Sequence, residues 1–403
     1  MFHLCRRLRI AASPEPVLGG DDKGNGYPLS GSYHRVNAVN SDAANRAGGV
    51  LEIDLAGIVA NWRLLKQRVA PAECAAVVKA DAYGLGADRV APALAAGGCR
   101  LFFVATLDEG IALRGVLPPG CEIAVCNGPM PGSAAEFAAH RLVPVLNDPG
   151  QVGEWRAGGA APAMLHLDTG MSRLGLTARE FASDAEALRG FGWRAFLSHL
   201  ACADTPSHPL NRTQLERFAA ARARLPGVRA SLAASSGIFL GGEFYFDLVR
   251  PGAALYGVNP SPGSPNPMRQ VLRLKGQIVQ AREIDRGESV GYGATHVMAA
   301  PGRLATVAIG YADGWLRTFA GRGCGHIDGQ RVPLVGRVSM DLIVFDISSV
   351  DPAVARPGAF IELLGDEYGV DMAAADAGTV GYEILTALGR RYHRIYRDAA
   401  DGW

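Results

Sequence analysis

From residue 75 onward the apolar residues come in short runs, with gaps long enough for a helix between most of them. The runs span 75–78, 101–105, 123–126, 142–146, 163–167, 194–197, 229–234 and 246–249. A continuous apolar run bounded by polar residues is the pattern of a parallel strand covered on both faces. In the intervening segments, 88–96 and 213–224 among them, apolar residues fall at helical spacing. Strand and helix alternating eight times predicts an α/β fold built on a (β/α)8 barrel of the TIM type.

After about residue 270 the pattern changes. Residues 271–279 alternate loosely between apolar and polar, and Asp328-Gly329 between two apolar runs is a hairpin signal. Helical spacing returns only at 370–377 and 382–388. A mostly β C-terminal domain over 271–403 is therefore expected behind a barrel domain over 49–270, with the Pro- and Gly-rich stretch 258–267 near the junction. Residues 1–48 carry Arg6, Arg7 and Arg9 but no continuous apolar region, and their Gly, Ser, Asn and Asp content predicts a disordered extension.

Composition narrows the class of function. At 403 residues, 48% hydrophobic and 20% charged, the chain is ordinary for a globular enzyme. A formal net charge of +1 gives no electrostatic support for nucleic acid or an anionic membrane. Every apolar stretch is interrupted before it reaches the length of a membrane span. The seven cysteines are scattered, mostly in Ala- or Val-rich runs, and read as buried thiols of a cytoplasmic protein. Cys121 and Cys126 form the one close pair, with no second pair or His cluster to complete a zinc spacing, so no metal is assigned.

Polar residues just behind the predicted strands would gather on the C-terminal rim, where barrel enzymes place their chemistry. They are Lys79, Asn127, Asn147, Asp168, His199, Ser235, Ser236 and Arg250. Lys79 ends an apolar run and is followed by Tyr83, Gly84 and Gly86. A lysine emerging from a buried strand is pushed toward its free base, and a neutral amine forms a Schiff base with a carbonyl, of which pyridoxal phosphate is the commonest cofactor example. The bland alternative is a lysine that snorkels past a strand end.

The segments around Lys79 and Tyr83, His166–Gly175, Phe246–Gly252, Val290–Thr295, Ile309–Gly314, Gly336–Asp341 and Thr379–Glu383 resemble the motifs of bacterial alanine racemases, in family order over roughly residues 50–397. The resemblance implies interconversion of L- and D-alanine on pyridoxal 5'-phosphate, held by Lys79 as an aldimine. It implies two bases on opposite faces, Lys79 and Tyr292, with His199 linking the phenol to Arg250 and Arg250 donating to the pyridine nitrogen. Tyr83, Ser236, Gly252, Ala253 and Tyr382 are implied at the phosphate and Arg173 at the cofactor's phenolic oxygen. Arg173 and Met340 are implied at the substrate carboxylate and Tyr311 at the entrance, with Asp204, Arg317 and Arg337 along the corridor.

Racemisation suits two bases, because a proton must leave Cα on one face and return on the other. Lysine and tyrosine titrate near 10 when unperturbed, so both need activation by their surroundings. In this family the site is completed by the other subunit, which implies a homodimer with Tyr292, Tyr311 and Met340 supplied in trans. One position departs from the pattern. Where many members carry a carbamylated lysine this chain has His166, which leaves open what steadies Arg173; Ser235 also stands where asparagine is common. A barrel-type decarboxylase shares the plan, but its Gly-Gly-Gly phosphate loop, Glu-Pro-Gly-Arg-like segment and cysteine–aspartate pair are missing. A pyridoxal phosphate carrier has no use for Tyr292. The sequence leaves the biosynthetic or catabolic role and tolerance for serine open.

Overall fold

In the computed structural model, which describes residues 42–159, 162–183, 188 and 190–398, the first strand already departs from expectation. β1 (Gly49–Asp54) is buried along its whole length and pairs antiparallel with residues 272–276 and parallel with residues 393–397. It lies in the second sheet and not in the barrel domain expected from 49 onward, because the strands that complete its hydrogen bonds come from far along the chain, beyond the reach of a boundary drawn from local pattern. Of the extension expected to be disordered over 1–48, residues 1–41 lie outside the described residues. Residues Asp42–Arg46 form a helical turn, and the Gly48 carbonyl accepts from the Gln277 N–H at 2.8 Å.

The eight apolar runs all carry strands. β2 (Glu73–Cys74) and β3 (Ala76–Val77) are two parts of one strand, followed by β4 (Leu101–Val104), β5 (Glu122–Val125), β6 (Val143–Leu146), β7 (Met164–His166), β8 (Ala195–Leu197), β9 (Ala230–Ser231) and β10 (Leu248–Val249). β3 to β9 lie side by side in chain order, every pair parallel. The ring closes where β10 pairs with β2 and where the Asp247 and Arg250 N–H groups donate to the Ala230 and Ala233 carbonyls.

Side chains alternate along these strands. Leu101, Phe103, Ala124, Val145, Met164, Ala195, Leu197 and Leu248 form one buried cluster, while their neighbours Phe102, Ile123, Leu165 and Phe196 join the larger core that includes the helices. Burying one such Leu or Phe side chain contributes about 1.5–3 kcal/mol. Helix Ala87–Ala96 falls where the spacing predicts it. Helix Pro209–Arg222 begins four residues before the predicted 213, because Pro209 suits the first turn and His208 caps it through Nδ1, 3.2 Å from the Leu210 N–H.

The rest of the chain supplies β11 (Leu272–Ile284), β12 (Ser289–Val290), β13 (His296–Val297), β14 (Gly302–Val307), β15 (Cys324–Ile327), β16 (Gln330–Val335), β17 (Ile343–Asp346), β18 (Phe360–Leu364) and β19 (His393–Arg397). The sheet runs β14-β17-β16-β15-β18-β11-β1-β19, and the long β11 also pairs with β14, so part of the sheet closes on itself. The predicted hairpin joins β15 to β16, with Asp328 at φ +49° and Gly329 at φ +76°, as a two-residue turn with both central φ positive demands. Helices Val370–Ala377 and Gly381–Ala387 lie where helical spacing returned. Among the described residues no helix is long and apolar enough to cross a membrane.

Candidate active site

The C-terminal ends of the barrel strands bring five of the sequence-predicted side chains within electrostatic reach of one another: Lys79, His166, Arg173, His199 and Arg250. Lys79 follows β3 directly and is half-buried. The backbone behind it is unusual. Ala80, Asp81, Ala82 and Tyr83 all have φ between +53° and +55°, a full left-handed turn without a glycine in it. Left-handed geometry costs L-residues roughly 1–2 kcal/mol each, so the turn persists only where its surroundings dictate it.

Several contacts do so. The Asp81 carboxylate accepts from the Ala87 N–H at 2.7 Å, Arg394 donates to the Gly84 carbonyl at 2.6 Å and the Tyr396 hydroxyl donates to the Leu85 carbonyl at 3.0 Å. Gly84, at φ +85°, lies so close to the Leu385 carbonyl that a Cβ would approach it to 2.4 Å. Glu109, absent from the sequence reading, takes the Ala80 N–H at 2.7 Å.

Arg250 is the most firmly held group on the rim, at 7% exposure. Its guanidinium donates to the Ser231 carbonyl at 3.0 Å, to the Ser231 hydroxyl, and to the Ser198 carbonyl at 2.6 Å. Three of the five N–H donors of a guanidinium are thereby committed to the ends of β8 and β9, which leaves two for a ligand or a neighbour. Burial pulls its pKa down to about 10, still cationic at neutral pH.

His199 is pushed down to about 3, first by burial and then by Arg250, Arg173, His166 and Lys79. The imidazole is therefore neutral at pH 7, and the positive charge of the expected histidine–arginine network resides on Arg250. His166 is pushed down to about 4, again first by burial, then by Arg250 and Arg173 against the opposing pull of Asp168. Asn147 spends its amide N–H groups on the Cys126 and Val145 carbonyls, at 3.0 and 2.8 Å. Its Oδ1, 2.8 Å from His166 Nδ1, must then accept, which fixes the proton on Nδ1 and leaves Nε2 as an acceptor. His166 and Arg173 line one small cleft with Asp168, Ser198 and His199. His166 thus offers a neutral acceptor there and no negative charge.

The loop carrying Arg173 is shaped by Asp168. Its carboxylate accepts from the Gly170, Met171 and Ser172 N–H groups at 2.8, 2.9 and 2.9 Å.

A second set of predicted residues forms a cradle beside Lys79. Ser235 Oγ accepts from the Gly252 and Ala254 N–H groups at 3.0 and 3.2 Å, which folds residues 252–254 back toward Ser236. Gly252 is required by close approach, since a Cβ there would stand 2.4 Å from Tyr83 Oη. Burial, with Cys126 and Tyr382 nearby, raises the pKa of Tyr83, so its hydroxyl stays protonated and able to donate. Ala253 and Ser236 each open a 3₁₀ turn, so their N–H groups lack intrahelical acceptors. Tyr382 is exposed, on the first turn of helix Gly381–Ala387. The donors and the neighbouring cations suit a phosphate.

Tyr292 lies on the turn that joins β12 to β13, a two-stranded hairpin of its own, whereas Tyr311 and Met340 lie on turns that follow β14 and β16 of the second sheet. The three are 72%, 43% and 54% exposed. The Tyr311 and Ala312 N–H groups donate to the Ser339 and Met340 carbonyls, both at 3.0 Å, so Tyr311 and Met340 sit on adjacent turns. The Arg337 guanidinium packs against Gly293, beside Tyr292. Among the described residues no hydrogen bond or ion pair joins Tyr292 to Lys79, His199 or Arg250. Asp204 and Arg317, placed along a corridor by the resemblance, form no ion pair among the described residues.

A parallel barrel with a half-buried lysine on its rim and a following β-sheet region defines the class. The family described as "Alanine racemase, N-terminal domain" matches residues 53–260, and "Alanine racemase, C-terminal domain" matches 271–396. The chain is 53% identical over 367 residues to the alanine racemase of Rhodospirillum rubrum, covering 89% of this chain and 98% of that one. It is 50% identical over 364 residues to a catabolic alanine racemase of Mesorhizobium japonicum, covering 88% and 94%. Alanine racemase of Bartonella henselae, solved with covalently bound pyridoxal phosphate, superposes with a TM-score of 0.83 at 42% identity, over 87% of this chain and 100% of that chain. The chain belongs to the alanine racemase family.

Proposed function

We propose that this protein interconverts L- and D-alanine with pyridoxal 5'-phosphate bound through Lys79. The observation that carries the reading is Lys79 at the C-terminal rim of a parallel barrel that also bears the fixed Arg250 cation and the Ser235–Gly252 segment with its close approach to Tyr83. When bound, the cofactor withdraws electrons from the substrate Cα and makes its proton removable. Tyr83, Ser236, Gly252, Ala253 and Tyr382 hold the phosphate, and Arg173 holds the phenolic oxygen. The two uncommitted N–H donors of Arg250 serve the ring nitrogen and His199. Because a guanidinium does not surrender its proton, that nitrogen remains an acceptor.

Lys79 removes or returns the Cα proton on one face. Tyr292 does so on the other, its phenolate supported through neutral His199 by the charge of Arg250. The 72% exposure of Tyr292 on the β12–β13 turn supports a role at another chain's barrel. The working enzyme is accordingly a homodimer in which Tyr292, Tyr311 and Met340 of each subunit complete the site around Lys79 of the other. The barrel, from β2 to β10, holds the cofactor in this reading, the region from 271 onward supplies the opposite base, and Arg173 with the Met340 N–H receive the substrate carboxylate. We place the enzyme in the cytoplasm, where free thiols such as Cys74, Cys99 and Cys324 persist.

The test is an assay of both alanine enantiomers for racemisation and for exchange of the α-hydrogen in heavy water, with Lys79→Ala as control. Exchange and racemisation by the wild type, absent from the control, are expected. Carbon dioxide release without racemisation would sink the proposal.

A further inference from the structure

The half of the site that one chain completes by itself leans on Glu109, which the motifs do not single out. Glu109 stands in the first turn of helix Leu107–Arg114, directly behind β4. Its Oε2 accepts from the Ala105 and Thr106 N–H groups at 2.7 and 3.3 Å, while Thr106 Oγ1 accepts from the Glu109 N–H at 3.3 Å. That exchange is a capping box and accounts for one carboxylate oxygen. The other oxygen reaches across to the preceding strand of the barrel, where Oε1 accepts from the Ala80 N–H at 2.7 Å.

Ala80 N–H belongs to the peptide bonded to the Lys79 carbonyl, and Ala80 is the first residue of the left-handed turn. The torsions on either side of that peptide set both the direction in which the Lys79 side chain leaves the strand and the entry into the turn. A carboxylate acceptor gives a short, charge-assisted bond. The same group is pinned at its far side to the end of β4, so the peptide after Lys79 is referenced to the neighbouring strand and not to its own flexible turn.

We propose that Glu109 is a positioning residue for Lys79: by bridging the ends of β3 and β4 it holds the lysine in the one direction from which its amine meets the cofactor aldehyde. This rests on the assignment of Lys79 as the cofactor-binding lysine. A plain helix cap is the competing role, and Thr106→Ala separates the two, because it removes half of the capping box without touching the bond to Ala80.

The experiment follows Schiff-base formation when pyridoxal 5'-phosphate is added to the full-length apoprotein. Absorbance gives the rate, and borohydride reduction with peptide mass analysis locates the modified residue; thermal unfolding is recorded in parallel. Glu109→Ala should slow formation at Lys79 about tenfold or more, the scale on which small misplacements act. Thr106→Ala should destabilise comparably yet stay within about twofold of the wild-type rate. Should Glu109→Ala not fold, Glu109→Gln carries the test: it keeps one carbonyl oxygen, cannot accept on both sides, and should fall between. Equal slowing by Glu109 and Thr106 variants, or none by the Glu109 variants, would overturn the proposal. A wild-type protein that forms no adduct at Lys79 would overturn the Lys79 assignment and this proposal with it.

Discussion

In the proposed reading the barrel rim and the turns of the C-terminal β region carry two halves of one chemistry, and the two regions differ sharply in burial. On the rim, Arg250 is buried with three donors committed, His166 is locked by Asn147 and the turn behind Lys79 is clamped from four sides. In the C-terminal β region, Tyr292, Tyr311 and Met340 stand exposed, although the turns beneath them are well tied: the Asp313 carboxylate accepts from the Gly310 N–H at 2.8 Å and forms a two-pronged pair with Arg391 at 2.6 and 2.8 Å. In the proposed dimer these exposed aromatic and thioether side chains meet a counterpart: the rim lacks one face, and these turns of the other chain supply it.

The largest effect should come from separating the halves on different chains. Lys79→Ala and Tyr292→Ala should each lose about 10³-fold or more in turnover, as expected when a proton-transfer base is removed. Co-expression of the two dead variants should then restore about a quarter of wild-type activity, since half the dimers are mixed and each mixed dimer rebuilds one intact site. Failure of the mixture to recover activity while both variants dimerise would place Lys79 and Tyr292 in the same chain's site.

Stability should divide the halves next. Arg250→Gln shortens the side chain and leaves the Ser198 and Ser231 carbonyls short of donors, which should destabilise the protein by about 1–3 kcal/mol in urea unfolding. Tyr292→Phe should move it by less than about 0.5 kcal/mol. Equal losses would contradict the contrast in burial.

The rim should also show in the pH dependence of stability. Unfolded histidine titrates near 6.5, while His166 and His199 in the fold are held down to about 4 and 3. Below pH 6.5 the unfolded chain therefore takes up protons that the folded chain refuses. The unfolding free energy of the apoprotein should fall as pH is lowered, by up to about 1.4 kcal/mol per unit for each histidine, and level off once both are charged in the fold. His166→Gln should roughly halve the slope between pH 6 and 4.5. A wild-type profile no steeper than that of the variant would mean that His166 is not held neutral.

How legible each half was in the sequence follows the same contrast. The barrel strands showed because burial on both faces writes an uninterrupted apolar run, and the rim residues showed because each follows such a run. β1 was not among those runs, since Glu52 interrupts it, and only the domain bound at 49 put it with the barrel, whereas it pairs in the second sheet. The left-handed turn at Ala80–Tyr83 left no trace: none of its residues is glycine, and the groups that enforce it, Glu109, Arg394 and Tyr396, are distant in sequence. Tyr292, Tyr311 and Met340 came only through the family resemblance, because an exposed turn imposes no periodicity that a single sequence could display.

The smallest effect tests whether the exposed face touches substrate at all. The Tyr311 hydroxyl lies on a turn whose backbone is fixed by Ser339 and Met340, and removing it deletes no hydrogen bond among the described residues. Tyr311→Phe should therefore leave the unfolding midpoint within the ordinary range of surface substitutions. If the phenol stands at the entrance of the partner's barrel, the same change should raise KM for alanine a few-fold, with the energy of one neutral hydrogen bond, about 0.5–1.5 kcal/mol. It should leave kcat nearly intact, since binding lost equally from ground and transition states appears in KM alone. A fall in kcat at constant KM would move Tyr311 from the entrance into the proton-transfer machinery.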